Sequence, residues 1–168
     1  MKEKTLYKGK LVNLAKRRVR LPNANIVELE IVKHPGAALI VPFLSKDKII
    51  ALKQFRPVIN SYIYELPAGT LKEKERPIDC ARREVAEETG YRAAKVTKLG
   101  AIYPVPGYST EKIFIFKAER LSREEMRTEA DEVLKPCIIT KPMAKRLFKS
   151  GRLVDAKTIC GLAMCGWL

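Results

Sequence analysis

The stretch from Pro77 to Gly90 carries its own start and stop, and it constrains the chain more than any other segment. Proline suits the first turn of a helix, where its missing N–H costs nothing, and glycine suits the position just past the end. Ile78, Ala81 and Val85 recur at three- and four-residue steps and mark the side a core would cover. The other residues make this helix awkward. Glu84, Glu87 and Glu88 are three and four apart, so they cluster on one face near its end. Each like-charge pair costs a helix roughly 0.2–0.5 kcal/mol, and anions at the C-terminal end oppose the dipole by a further ~0.3–1 kcal/mol. Arg82 and Arg83 offset part of this. A divalent cation offsets more, because magnesium and manganese favour hard oxygen ligands. Taken alone, such a cluster reads as a solvated charged face. Leu66-Pro67-Ala68-Gly69 weighs against that reading, because an exposed irregular turn there would set backbone carbonyls beside the carboxylates.

Around this helix the pattern favours strands. Residues 25–32 alternate as a half-buried strand, 37–43 form a continuous apolar run, and 49–54 return after the turn Lys46-Asp47-Lys48, which makes a hairpin. Further strands are expected over 100–105, 112–118 and 133–140. Two short helices close the chain, one after Pro142 and one capped by Asp155. Strands with an interposed helix and a helical tail make an α+β fold or mixed sandwich.

A chain of 168 residues is long enough for one real core. The apolar run at its end, 159–168, falls far below the roughly 20 residues that span a bilayer, so no membrane association is expected. The first residues pass straight into mixed polar sequence, which predicts a cytoplasmic protein. Four cysteines form no CxxC pair and there is one histidine, His34, before Pro35-Gly36, so a zinc site lacks ligands and His34 is expected in a turn. The 33 lysines and arginines against 19 acids leave a net charge of +14, which attracts polyanions. The one tight basic run, Lys16-Arg17-Arg18-Val19-Arg20, fits the solvated face of a strand, and no RNA-binding signature accompanies it.

Gly69, five residues, Glu75, seven residues, Arg83-Glu84-Val85, one residue, Glu87-Glu88, one residue, then Gly90-Tyr91 reproduces the Nudix box. On these residues the chain resembles the Nudix hydrolases. Tyr91 in the last, usually aliphatic, position is typical of the ADP-ribose pyrophosphatase branch. So are Gln54-Phe55-Arg56 with Tyr64–Gly69, the loop Pro106–Glu111, and the tail Ser150–Thr158. Pro104-Val105 and the more basic tail depart from it.

The resemblance implies a mixed α/β/α sandwich over 36–168 and a small N-terminal antiparallel sheet, 1–35, that builds a homodimer. It also implies Mg2+, with Mn2+ as a substitute, held by the Ala68 carbonyl, Glu84 and Glu88, with Glu87 nearby as ligand or acceptor. Arg83 would orient the glutamates, with Glu75 in support. Glu111 would be general base or a further metal ligand, on a loop with little to fix it that closes over substrate; failing Glu111, the base is sought among Glu129, Asp131 and Glu132. Arg56 would contact phosphate, and Phe55, Pro106 and Tyr108 would border the base or ribose. The implied reaction is cleavage of a nucleoside diphosphate sugar, with ADP-ribose giving AMP and ribose 5-phosphate. Other substrates of the family, a dinucleoside polyphosphate or an RNA 5′ end, stay open. So does a nucleic-acid-binding regulator on an inactive Nudix scaffold, which the charge favours and the intact glutamates oppose.

Overall fold

A computed structural model of the chain describes residues 3–10, 12–127 and 132–168. Strands β1 (Glu3–Lys8), β2 (Asn13–Arg20) and β3 (Ile26–Lys33) form a separate antiparallel sheet in the order β1-β2-β3. The basic run lies on β2 and is partly neutralised across the sheet. Lys16 meets Glu28 at 2.7 Å, and Glu3 on β1 takes both Arg17 and Lys33.

The main sheet has seven strands: β4 (Ala37–Ser45), β5 (Lys48–Arg56), β6 (Ser61–Glu65), β7 (Ala68–Thr70), β8 (Tyr91–Ile102), β9 (Ile113–Arg123) and β10 (Leu134–Thr140). Its main path is β10-β5-β4-β9-β8, with β6 paired to β5 and β7 to β4. β4 runs parallel to β9 and antiparallel to β5 and β7, so the sheet is mixed. Helix α1 (Pro77–Thr89) packs with one set of strand residues, and α2 (Lys141–Lys149) and α3 (Ala156–Met164) with the other.

The continuous apolar run on β4 follows from this layering. Leu39 and Val41 join Ile49, Ile115, Leu147 and Leu162 in the α2–α3 layer, while Ala38 and Ile40 join Ala81, Val85 and Phe116 beneath α1. A strand covered on both faces has no polar side to show. The result is an α/β/α sandwich with the small sheet at its N-terminus.

Three expectations need correction. The strand expected over 100–105 begins at Tyr91 and ends at Ile102. Its inward positions, Ala93, Val96 and Leu99, fall at three-residue steps between exposed Arg92, Lys95 and Lys98, and a register shift between Lys98 and Gly100 breaks the period of two. Leu66–Gly69 is not an exposed turn. Leu66 is buried, the Pro67 carbonyl accepts from the Ile40 N–H at 2.9 Å, and Ala68–Thr70 pair with β4. Nor is the loop before β9 loose. Val32 donates to the Tyr108 carbonyl at 2.8 Å, Thr110 donates to the Val32 carbonyl at 3.0 Å, and the His34 N–H reaches Thr110 Oγ1 at 2.9 Å. That loop is stitched to the end of β3.

Candidate active site

Both ends of α1 follow from local chemistry. Pro77 opens it, and Gly90 closes it at φ +70°, donating to the Ala86 carbonyl at 3.0 Å. What sequence spacing cannot fix is which way the glutamates turn. Glu84 and Glu88 are only 8% and 3% exposed, so they do not form a solvated face. A Cβ at Gly69 would overlap the Glu84 carboxylate, so glycine is what lets this side chain lie against the β7 backbone. Glu88 accepts from the Ala68 N–H at 3.0 Å.

Arg83 is the hub of the outer half of the site. Its Nε and Nη2 donate to the two Glu75 oxygens at 2.9 and 3.1 Å. Its Nη1 bridges Glu84 at 2.6 Å and Glu87 at 2.9 Å. The guanidinium draws the Glu75 carboxyl down to about 2 and is itself pushed further up, mainly by Glu75. Deeper in, cationic help thins out. Burial pushes Glu84 up against the pull of Arg83, and burial followed by the charge of Glu84 pushes Glu88 up to about 9. Among the described residues no cationic side chain bonds Glu88.

This donor set suits a divalent cation: two buried carboxylates, a third beside them, and the backbone of β7 alongside. Among the described residues no three such side chains already converge as a cage, because Arg83 lies between Glu84 and Glu87 and Glu88 is turned to the backbone. The guanidinium supplies the positive charge that the cluster requires on its outer side.

A second acidic centre adjoins the first. Glu65, 1% exposed, accepts from Arg56 Nε at 2.5 Å and Nη2 at 2.8 Å and also from Lys157, which bonds Asp155 at 2.9 Å. Burial alone would raise Glu65, but Arg56 and Lys157 outweigh it and hold the carboxyl below its usual range. The charge of Glu65 adds a small part to the upward push on Glu88, so the two centres are neighbours. Sequence reasoning missed Glu65 and Lys157 as site members. The one hint was an acid, Glu65, set between Tyr64 and Leu66 in an apolar context.

The other expected residues are placed as follows. Arg56 lies at the site, with two of its nitrogens committed to Glu65. Phe55 packs on Tyr62, centroids 5.2 Å apart and tilted 54°, in a groove of about 570 Å³ that includes Tyr64 and Arg152. Tyr108 is exposed at the stitched loop that also holds Pro106. Glu111 faces His34, with Nε2 3.9 Å from its Oε1, while His34 Nδ1 accepts from the Gly36 N–H, as suits a turn histidine. It is Glu132, just before β10, whose charge bears on both Glu84 and Glu88. Glu129 and Asp131 lie outside the described residues.

The NUDIX domain family profile matches residues 33–154, a span that contains every residue of the carboxylate site. The chain belongs to the Nudix family. Similar proteins include the ADP-ribose pyrophosphatase of Bacillus subtilis (strain 168), 41% identical over 165 residues, covering 94% of this chain and 89% of that one. A methanol dehydrogenase activator of Bacillus methanolicus is 33% identical over 161 residues, covering 95% and 87%. A solved structure described as an ADP compounds hydrolase matches with a TM-score of 0.84 at 21% identity, covering 98% of this chain and 89% of its own. At that identity the likeness speaks for the Nudix fold alone. The box residues of this Nudix chain are those already placed by geometry: Gly69 under Glu84, Glu75 on Arg83, and Glu84, Glu87 and Glu88 on α1.

Proposed function

We propose that this Nudix hydrolase cleaves the pyrophosphate linkage of a nucleoside diphosphate sugar, with ADP-ribose as its leading substrate and AMP and ribose 5-phosphate as products. The observation that carries the reading is the buried pair Glu84 and Glu88 beside Gly69, where negative charge exceeds what the protein's own cations balance. The resemblance to the Bacillus subtilis enzyme supports the substrate class. Glu84 and Glu88, with Glu87 and the Ala68 carbonyl, would hold Mg2+, or Mn2+ in its place. When bound, the ion neutralises diphosphate oxygens and makes a water more acidic. Arg83 keeps the carboxylates oriented by anchoring on Glu75. Arg56, with Glu65 fixing its plane, offers its remaining N–H groups to a phosphate. Phe55 and Tyr108 offer rings to the base or ribose.

For the general base, the charge that Glu132 exerts on Glu84 and Glu88 favours it over Glu111. Glu132 sits within electrostatic reach of Glu84 and Glu88, and Glu111 lies on the stitched loop with its Oε1 3.9 Å from His34 Nε2. A base must come within hydrogen-bond reach of the attacking water, directly or through one other.

A substrate panel tests the assignment. ADP-ribose should be hydrolysed faster than ATP or a triphosphate-capped RNA. EDTA should abolish turnover and excess Mg2+ restore it. Mg2+ should also raise the melting temperature, because only the folded chain gathers the ligands. Full activity in EDTA would overturn the reading.

The N-terminal sheet belongs to the same proposal as a dimer-forming element. All six residues of β1 are exposed, Leu6 and Tyr7 among them, as are Val12, Ile26 and Leu29, and three strands so little covered are marginal alone. Light scattering at micromolar concentration should give a dimer; a fully active monomer would contradict it.

A further inference from the structure

Part of the positive charge left unexplained by the active site falls on α2 and the turn beside it. Between Glu132 and Asp155 the chain has six basic residues and no acid. Four of the six, Lys141, Lys145, Arg146 and Lys149, lie on α2. Lys141, Lys145 and Lys149 repeat at four-residue steps, a like-charge ridge that weakens the helix. Among the described residues none of the four has a salt-bridge partner. Lys145, Arg146 and Lys149 with Pro142 and Ser150 border a shallow hollow of about 550 Å³.

The ridge leads into a larger cavity. The first residue of α2 is tied to the β4–β5 turn, Lys141 N–H to the Asp47 carbonyl at 3.3 Å, and Lys141 lines a cavity of about 700 Å³ there. Three more cations reach this cavity: Lys46, Lys117 and Arg120. Two acids face it, Asp47 and Glu119, and Glu119 is already neutralised by Lys117 at 2.7 Å and Lys95 at 3.1 Å. Arg120 is held at φ +57°, in the left-handed region that side chains other than glycine rarely adopt. The apolar part of the wall comes from Phe43, Leu99, Met164 and Trp167. None of these residues belongs to the carboxylate site.

We propose that this face binds single-stranded nucleic acid, seating one nucleotide in the cavity and running the adjoining phosphates along the α2 ridge. An apolar wall beside clustered cations matches the two halves of a nucleotide, and a row of unpaired cations leading away matches a continuing phosphate backbone. A lipid surface fits less well. A helix that enters the membrane interface lays its apolar face there, and Ala144 and Leu147 of α2 are committed to the core.

The test uses the full-length protein in EDTA, so that binding is read without hydrolysis, with a 5′-labelled single-stranded RNA of roughly a dozen nucleotides. Fluorescence anisotropy should give a Kd of roughly 10⁻⁶–10⁻⁴ M near physiological salt, weakening with salt at a log–log slope of about −4 if six cations engage phosphates. Lys145→Glu with Lys149→Glu, and separately Lys46→Glu, should weaken binding and flatten the slope by about 0.7 per cation removed. Hydrolysis of ADP-ribose by the same variants should stay at the wild-type rate, which also reports that they fold. Absence of binding at low salt would overturn the proposal, as would affinity that survives both charge reversals. Equal competition by phosphatidylserine vesicles or polyglutamate would overturn it in favour of another polyanion. Loss of ADP-ribose hydrolysis in the wild type with RNA binding intact would count against the enzymatic reading only.

Discussion

Glu88→Gln is expected to lower kcat on ADP-ribose by roughly 10²–10³-fold, the usual loss when one electrostatic stabiliser is removed. The EDTA-treated variant should nonetheless melt no lower than wild type. The replacement keeps the volume, and the amide oxygen can still accept from the Ala68 N–H, while the cost of a carboxylate pushed up to about 9 by burial and by Glu84 disappears. Glu75→Gln should do the reverse. It leaves Glu84 and Glu88 in place but weakens the paired bonds to Arg83, so stability falls by about 1.5–3 kcal/mol and kcat falls less than in Glu88→Gln. The base assignment is read in the same kinetics. Glu132→Gln should cost roughly 10²–10⁴-fold in kcat, and Glu111→Gln should stay within a few-fold. Equal losses for Glu88→Gln and Glu75→Gln would mean that the roles given to the two are wrong. A large loss for Glu111→Gln alone would return the base to the loop before β9.

How much of this was legible depends on how far apart in the chain the deciding partners lie. Helix α1 could be read to within its caps, because Pro77 and Gly90 act on their own neighbours. The cap of α3 was equally local, Asp155 accepting from the Thr158 N–H at 3.0 Å. The inward turn of Glu84 and Glu88 was not legible, since it depends on Gly69 leaving room for Glu84 fifteen positions away and on the Ala68 N–H meeting Glu88 20 positions away. Strands β6 and β7 exist by pairing with β5 and β4, and three or five residues carry too little pattern to announce that. The loop holding Tyr108 and Glu111 looked free because its fasteners, Val32 and His34, are 76 positions away along the chain for both His34–Thr110 and Val32–Tyr108. The same distance problem hid the partnership of Glu65 with Lys157, 92 positions apart. Residue types named the chemistry, and long-range contacts chose which acids take part.

That partnership gives the largest stability effect expected from a single substitution. Arg56→Met should destabilise the protein by about 2–3 kcal/mol near pH 7, at or below the lower end for breaking a buried ion pair, because Arg56 is itself partly screened by solvent and Lys157 still holds one side of Glu65. The pH dependence has a definite sign. The folded carboxyl of Glu65 lies below its ordinary 4.5, so it contributes stability that is present above that value and is lost as pH falls through the folded one. Without Arg56 the burial contribution gains weight, the folded value rises, and the loss moves to higher pH. Urea unfolding across the acid range should therefore show the gap between variant and wild type widest near neutrality and closing in acid. Glu65→Gln in the Arg56→Met background should recover part of the loss, since the uncompensated charge is then gone. An Arg56→Met protein within about 0.5 kcal/mol of wild type near neutrality, the range typical of ordinary surface changes, would show that Lys157 alone suffices for Glu65. Arg56 would then be free to serve the substrate phosphates with its whole guanidinium.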